Sequence, residues 1–149
     1  MKVTLRFPSL YRLADAARHR YRLRHATPEQ AHGRRGEDLA HRYLRRHGLT
    51  IVARNFHQRA GSGELDIVAW DRRTLVFVEV KARASAEFGS PGRAVGLDKE
   101  RDLRRAAGEY LRRSGIDAGL ARCDLVNIIL SEPPEIEWIK DAFPVSLRI

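Results

Sequence analysis

A chain of 149 residues with 43% hydrophobic and 32% charged side chains has apolar matter for one core, leaves little room for a second, and is not disordered. Its apolar runs are only a few residues long, which argues against a membrane span; its one cysteine, Cys123, excludes an internal disulfide and fits a reducing, cytoplasmic compartment. The net charge of +9 is lopsided, with fourteen basic and four acidic side chains in residues 1–60, mostly arginine, so a polyanion is the leading partner and a well-solvated surface the ordinary alternative.

Residues 1–30 stand apart. They carry arginines at 12, 18, 20, 22 and 24, few acids, and Pro8 and Pro28 as breaks. A short helix over Leu10–Arg24 is expected there, as a basic arm on nucleic acid or as an extra docked helix. An arginine-rich transit peptide is the third reading; no secretory signal is visible. Residues 31–149 read as one domain. From His32 to His47 the positions Leu39, Ala40, Tyr43 and Leu44 recur at helical spacing, and Gly48 stops the run. Residues 49–59 alternate as a strand, and "GELDIVAW" and "TLVFVEVKAR" follow as two more. Residues 85–96 form a glycine-rich loop. Asp98 is expected to cap a helix reaching Arg113, with Leu103, Ala107, Tyr110 and Leu111 inside. Residues 122–130 read as a buried strand and 135–143 as an edge strand. The order α-β-β-β-α-β-β predicts an α/β fold with a central mixed sheet flanked by helices.

The second and third strands pose a chemical question, because Glu64, Asp66, Glu79 and Lys81 are threaded through their apolar runs. With a two- or four-residue turn at Arg72 and Arg73, Trp70 opposes Leu75, Val68 opposes Phe77, Asp66 opposes Glu79 and Glu64 opposes Lys81. Alternation then puts the four charged side chains on one face, with Leu65, Ile67, Val78 and Val80 on the other. A three-residue turn would slip the pairing by one and part the two acids. Opposed carboxylates repel unless a shared proton or a cation intervenes. Magnesium takes one or two carboxylates and keeps positions for water and phosphate, so Asp66 and Glu79 are candidate metal ligands. Lys81, two residues past Glu79, would orient an attacking water and offset charge on phosphorus. Alone, "EVK" is an ordinary solvated ion pair; joined to the Asp of "GELD" it points to a phosphodiesterase.

An Asp on one strand and Glu-x-Lys on the next resembles the PD-(D/E)xK signature of restriction-endonuclease-like nucleases. More closely, "GRRGEDLAHRYLRRHGLTIVARNF", "GELDIVAWDRRTLVFVEVKAR", "FGSP" and "RCDLV" resemble the YraN-like family of small bacterial proteins. The resemblance runs from about Gly33 to about Trp138. It implies a restriction-endonuclease-like core, with Asp66, Glu79 and Lys81 as the signature residues and Glu37 as a helical acid assisting the metal. Glu64 corresponds to the Glu of the family's "GEID"-type strand. Two departures stand out: Leu65 replaces the proline that often precedes the motif Asp, and Cys123 stands where an aromatic is common.

Taken together, these readings predict an endonuclease using Mg²⁺ or Mn²⁺ to hydrolyse phosphodiester bonds in DNA. With no base-reading module in view, it would act by structure or at ends rather than by sequence. Asp66, Glu79 and Lys81 would be catalytic, Glu64 would support them, and Arg34, Arg35, Arg83 and Lys99 are candidate nucleic-acid contacts. The sequence leaves the oligomeric state open, a homodimer being one option because many nucleases of this fold act as dimers. Asp124 reads as a cap or ion-pair partner, His57 as a surface residue, and Trp70 and Trp138 as packing. The rival reading is a non-catalytic nucleic-acid-binding or assembly protein on a nuclease fold; a structural cation site is a third.

Overall fold

Period-two patterning builds strands here and 3.6-residue patterning the helices that cover them. The computed structural model describes residues 1–85 and 96–145. In chain order the elements are β1 (Lys2–Thr4), α1 (Ser9–His25), α2 (Pro28–Arg46), β2 (Thr50–His57), β3 (Glu64–Asp71), β4 (Thr74–Arg83), α3 (Leu97–Ser114), β5 (Ala121–Ile129) and β6 (Glu135–Phe143). One sheet holds all six strands in the order β1-β6-β5-β4-β3-β2. Strands β4 and β5 run parallel, and every other neighbouring pair is antiparallel. The fold is mixed α/β, a six-stranded sheet flanked by three helices.

Two cores lie on its two faces. On one, Leu39 and Leu44 of α2 pack on Ile67, Val76, Val78, Val126 and Ile128. On the other, Leu103, Ala106, Ala107 and Leu111 of α3 pack on Val68, Leu75, Phe77 and Leu125. Because both faces are covered, β4 and β5 are near-continuous apolar runs, as parallel neighbours must be.

Several expectations need correction. Strand β6 is not the edge, because β1 pairs outside it, Lys2↔Glu137 through Thr4↔Glu135. Three residues are too few to show a period. Helix α2 starts at Pro28 rather than His32: Thr27 accepts from the Gln30 amide and Gln30 reaches back to the Thr27 amide, each at 3.2 Å. Proline suits that first turn, where its missing N–H is not needed. Asp98 does not cap α3; Gly96 holds that position without a side-chain bond, and Asp98 lies in the first turn, 3.8 Å from Arg101. The glycine-rich stretch, apart from its ends, lies outside the described residues.

Residues 1–30 pack into the same body. Arg35 of α2 reaches buried Asp15 of α1 at 3.1 Å, Arg22 reaches Asp38 at 2.9 Å, and Phe7 and Tyr11 pack against the α2-side core. Among the described residues no helix is long and apolar enough to cross a membrane.

Candidate functional site

The hairpin turn decides the site. Asp71 pairs with Thr74, Trp70 with Leu75, Val68 with Phe77 and Ile67 with Val78, as a two-residue turn at Arg72 and Arg73 predicts. The regular ladder ends there. At the next position the Asp66 carboxylate, not a backbone carbonyl, accepts the Val80 N–H at 2.8 Å. Asp66 thus stands in the opening where β3 and β4 part.

Side-chain alternation also breaks at this point. Ile67 packs on the α2 side, yet Leu65 packs on the α3 side with Val68, so the expected grouping of Leu65 with Ile67 is overturned. Strand β2 does the same across the pair: Arg54 reaches α2 while Phe56 packs toward α3, with Asn55 between them in the left-handed region at φ 51°. Asn55 is a residue type that tolerates this conformation. The double flip aligns Asp66 with the seam between the layers rather than with one face.

Two glycines let the helices close on this seam. A Cβ on Gly36 would stand 2.3 Å from the Ala82 Cβ, so α2 touches β4 just before Glu37. A Cβ on Gly63 would stand 2.6 Å from the Asp102 carbonyl oxygen, so α3 touches the start of β3 just before Glu64.

The acids are gathered around the opening. Asp66 is 8% exposed and Glu79 5% exposed. Burial holds Asp66 above the ordinary carboxylate range, although the Val80 N–H and the Lys99 charge oppose it. Burial, with Asp66 beside it, pushes Glu79 up to about 8. Burial likewise raises Glu37, aided by Asp66 and opposed by Arg54 and the Asn55 amide. Arg54 Nη2 lies 3.5 Å from Glu37. Glu79 Oε2 is buried without a hydrogen-bond partner. Lys99 of α3, named from sequence as a candidate nucleic-acid contact, brings its Nζ to 3.5 Å from Glu79 Oε1. Burial pulls the Lys99 ammonium down, but Glu79 and Asp66 outweigh it and leave it raised.

The other predicted residues spread wider. Glu64 lies 3.7 Å from the exposed His57. Lys81 and Arg83 continue β4 beyond Glu79, half-buried and opposite Asn127 and Ile129 of β5. Arg34 is exposed on α2, whereas Arg35 turns inward to Asp15. Asp124 is fully buried and satisfied, accepting from Arg122, the Trp138 indole and the Asp141 amide at 2.9 Å each. Among the described residues no three His, Cys, Asp or Glu side chains converge at metal-binding separation, so Glu37 does not close on the Asp66–Glu79 pair. Sequence reasoning passed over Arg54, which pairs with Ile67 of β3, and Asn55 beside it; period-two alternation gave no signal for either.

Known proteins carry the same segments. A profile described as "Uncharacterised protein family UPF0102" matches residues 36–128, from the close-packed glycine before Glu37 to the penultimate residue of β5. A UPF0102 protein of Solibacter usitatus is 51% identical over 134 residues, covering 90% of this chain and 97% of its own length. That match necessarily includes part of residues 1–30. UPF0102 proteins of Desulfosudis oleivorans and Rhodococcus jostii are 44% and 45% identical, over 79% and 74% of the chain and 94% of their own lengths. The chain that builds this seam of carboxyls belongs to the UPF0102 family.

Proposed function

We propose that the chain is a metal-dependent endonuclease hydrolysing phosphodiester bonds in DNA on a restriction-endonuclease-like core. The observation that carries this reading is the buried pair Asp66 and Glu79 on adjacent strands, set where the ladder opens and left with an unpaired Glu79 oxygen. An ordinary sheet gains nothing from two facing carboxyls, whereas two oxygen ligands with room for water suit Mg²⁺ or Mn²⁺. What either ion supplies when held there is Lewis acidity toward a phosphate oxygen and a lower pKa for attacking water. Asp66 and Glu79 would hold it, and Glu37 would extend the acidic rim from α2, steadied by Arg54. Lys81, on the Glu79 strand, would hold positive charge beside the scissile phosphate and orient the water. The basic first sixty residues add sequence-independent grip.

A cleavage assay on labelled linear, branched and single-stranded DNAs, with Mg²⁺, Mn²⁺ or EDTA, tests this. Metal-dependent cutting is expected in the wild type, reduced at least ~100-fold in Asp66→Asn and Lys81→Ala. Binding without cutting in all three proteins would sink it.

One observation favours the rival, a non-catalytic nucleic-acid-binding protein on this fold: Lys99 already supplies a cation to Glu79. Glu79→Ala separates the two readings. It abolishes cutting and spares binding under the first, and under the second changes neither.

A further inference from the structure

Away from the carboxyl pair, a cleft of about 650 Å³ opens between α1, α2 and β2. Its walls carry Arg18, Arg22, Arg42, Arg45, Arg46 and Arg54, against one acid, Asp38. Asp38 lies 2.9 Å from Arg22, 3.0 Å from Arg54 and 4.0 Å from Arg18, so one carboxylate is shared among three guanidinium groups. Arg42 stacks 3.9 Å over the Tyr11 ring, which braces it against the wall. Nine buried side-chain polar atoms lack a hydrogen-bond partner among the described residues. Four of them (Arg22 Nη1, His41 Nδ1, Arg42 Nε and Arg54 Nε) belong to residues of this lining, so unpartnered buried nitrogens are concentrated around it.

Six guanidinium groups around one cavity repel each other, and an anion with several acceptor oxygens relieves that repulsion. Guanidinium forks meet phosphate oxygens two at a time, and the volume falls within the roughly 300–1,000 Å³ of small-molecule sites. Arg54 joins this cleft to the carboxyl seam, with Nη1 on Asp38 and Nη2 on Glu37.

We propose that the α1–α2 cleft is a phosphate-binding subsite for the backbone of a nucleic-acid strand, and that α1 is present to complete it. The choice of a strand as carrier of the phosphates rests on the nuclease reading; binding itself needs no cutting. The subsite contributes register along the strand, with Arg54 as the positioning residue between grip and carboxyls.

The test is fluorescence anisotropy in EDTA with a 3′-labelled single-stranded 20-mer across a salt series. The wild type is compared with Arg18→Gln/Arg45→Gln and with Arg101→Gln/Arg105→Gln on α3, which removes equal charge from the opposite side of the sheet. Circular dichroism confirms that each variant is folded. The cleft variant is expected to lower the salt slope by about 1.4, two contacts at roughly 0.7 each, and the α3 variant to leave it in place. Equal loss in both variants, or in neither, overturns the subsite. Displacement by ATP or pyrophosphate at lower concentrations than unlabelled strand requires overturns the strand in favour of free polyphosphates. Equal displacement by a polyglutamate peptide overturns phosphate altogether. Since EDTA silences cutting, a chain that never cleaves DNA still gives the expected slopes. Intact cutting without dependence on the cleft removes only the subsite.

Discussion

A carboxyl buried to 5% exposure beside another carboxyl keeps its proton well above the glutamate range, and Glu79 is pushed up to about 8. The unfolded chain loses that proton near its ordinary value of 4.5. Between the two values the native state binds more protons than the unfolded one, so Glu79 makes stability fall as pH rises. Glu79→Gln removes the ionisation and keeps the shape. It should stabilise the protein at pH 8 by on the order of 4 kcal/mol, the gain shrinking toward zero by pH 4. Urea melts at pH 4, 6 and 8 check this; a difference independent of pH would mean that the carboxyl is not held protonated. At this scale the sequence was informative where charges broke an apolar period, at Asp66 and Glu79. It did not bring Lys99 to the pair, because the approach of Lys99 to Glu79 depends on where α3 lands on the sheet.

Between elements, Gly36 sits tightly against Ala82, where α2 crosses β4. Gly36→Ala should cost roughly 1–3 kcal/mol, because the new Cβ would collide with the Ala82 Cβ. Ala82→Gly in the same chain should restore part of the loss. A urea-melt double-mutant cycle measures that coupling, and additivity would show that the contact is not tight. The same crossing sets Glu37 over the seam, so under the nuclease proposal the double variant should keep more cutting than Gly36→Ala alone. The "TPEQ" start of α2 was legible as a capping box with Pro at the first turn, and reading Pro28 as a break missed it. The flip at Asn55 and Asp66 was not legible: period-two alternation carries no mark of a strand about to rotate.

For the whole molecule, the first twenty-six residues close both an edge and a core. Strand β1 covers β6, Leu5 is buried with the α2-side cluster, and Asp15 neutralises Arg35. Removing residues 1–26 should expose the β6 edge and leave Arg35 without its buried partner. A melting temperature lower by about 10 °C and concentration-dependent association are expected. Calorimetry and light scattering check it; an unchanged melt would mark this segment as a detached arm. The mixed sheet, the helix–strand alternation, the hairpin register and the paired acids were determined by the sequence alone, because period, turn length and charge position are properties of neighbouring residues. The place of β1, the break at Asp66, the Lys99 contact and the arginine cleft were decided only by the tertiary structure. Each joins segments far apart in the chain, and which of them meet depends on how helices and sheet share the available space.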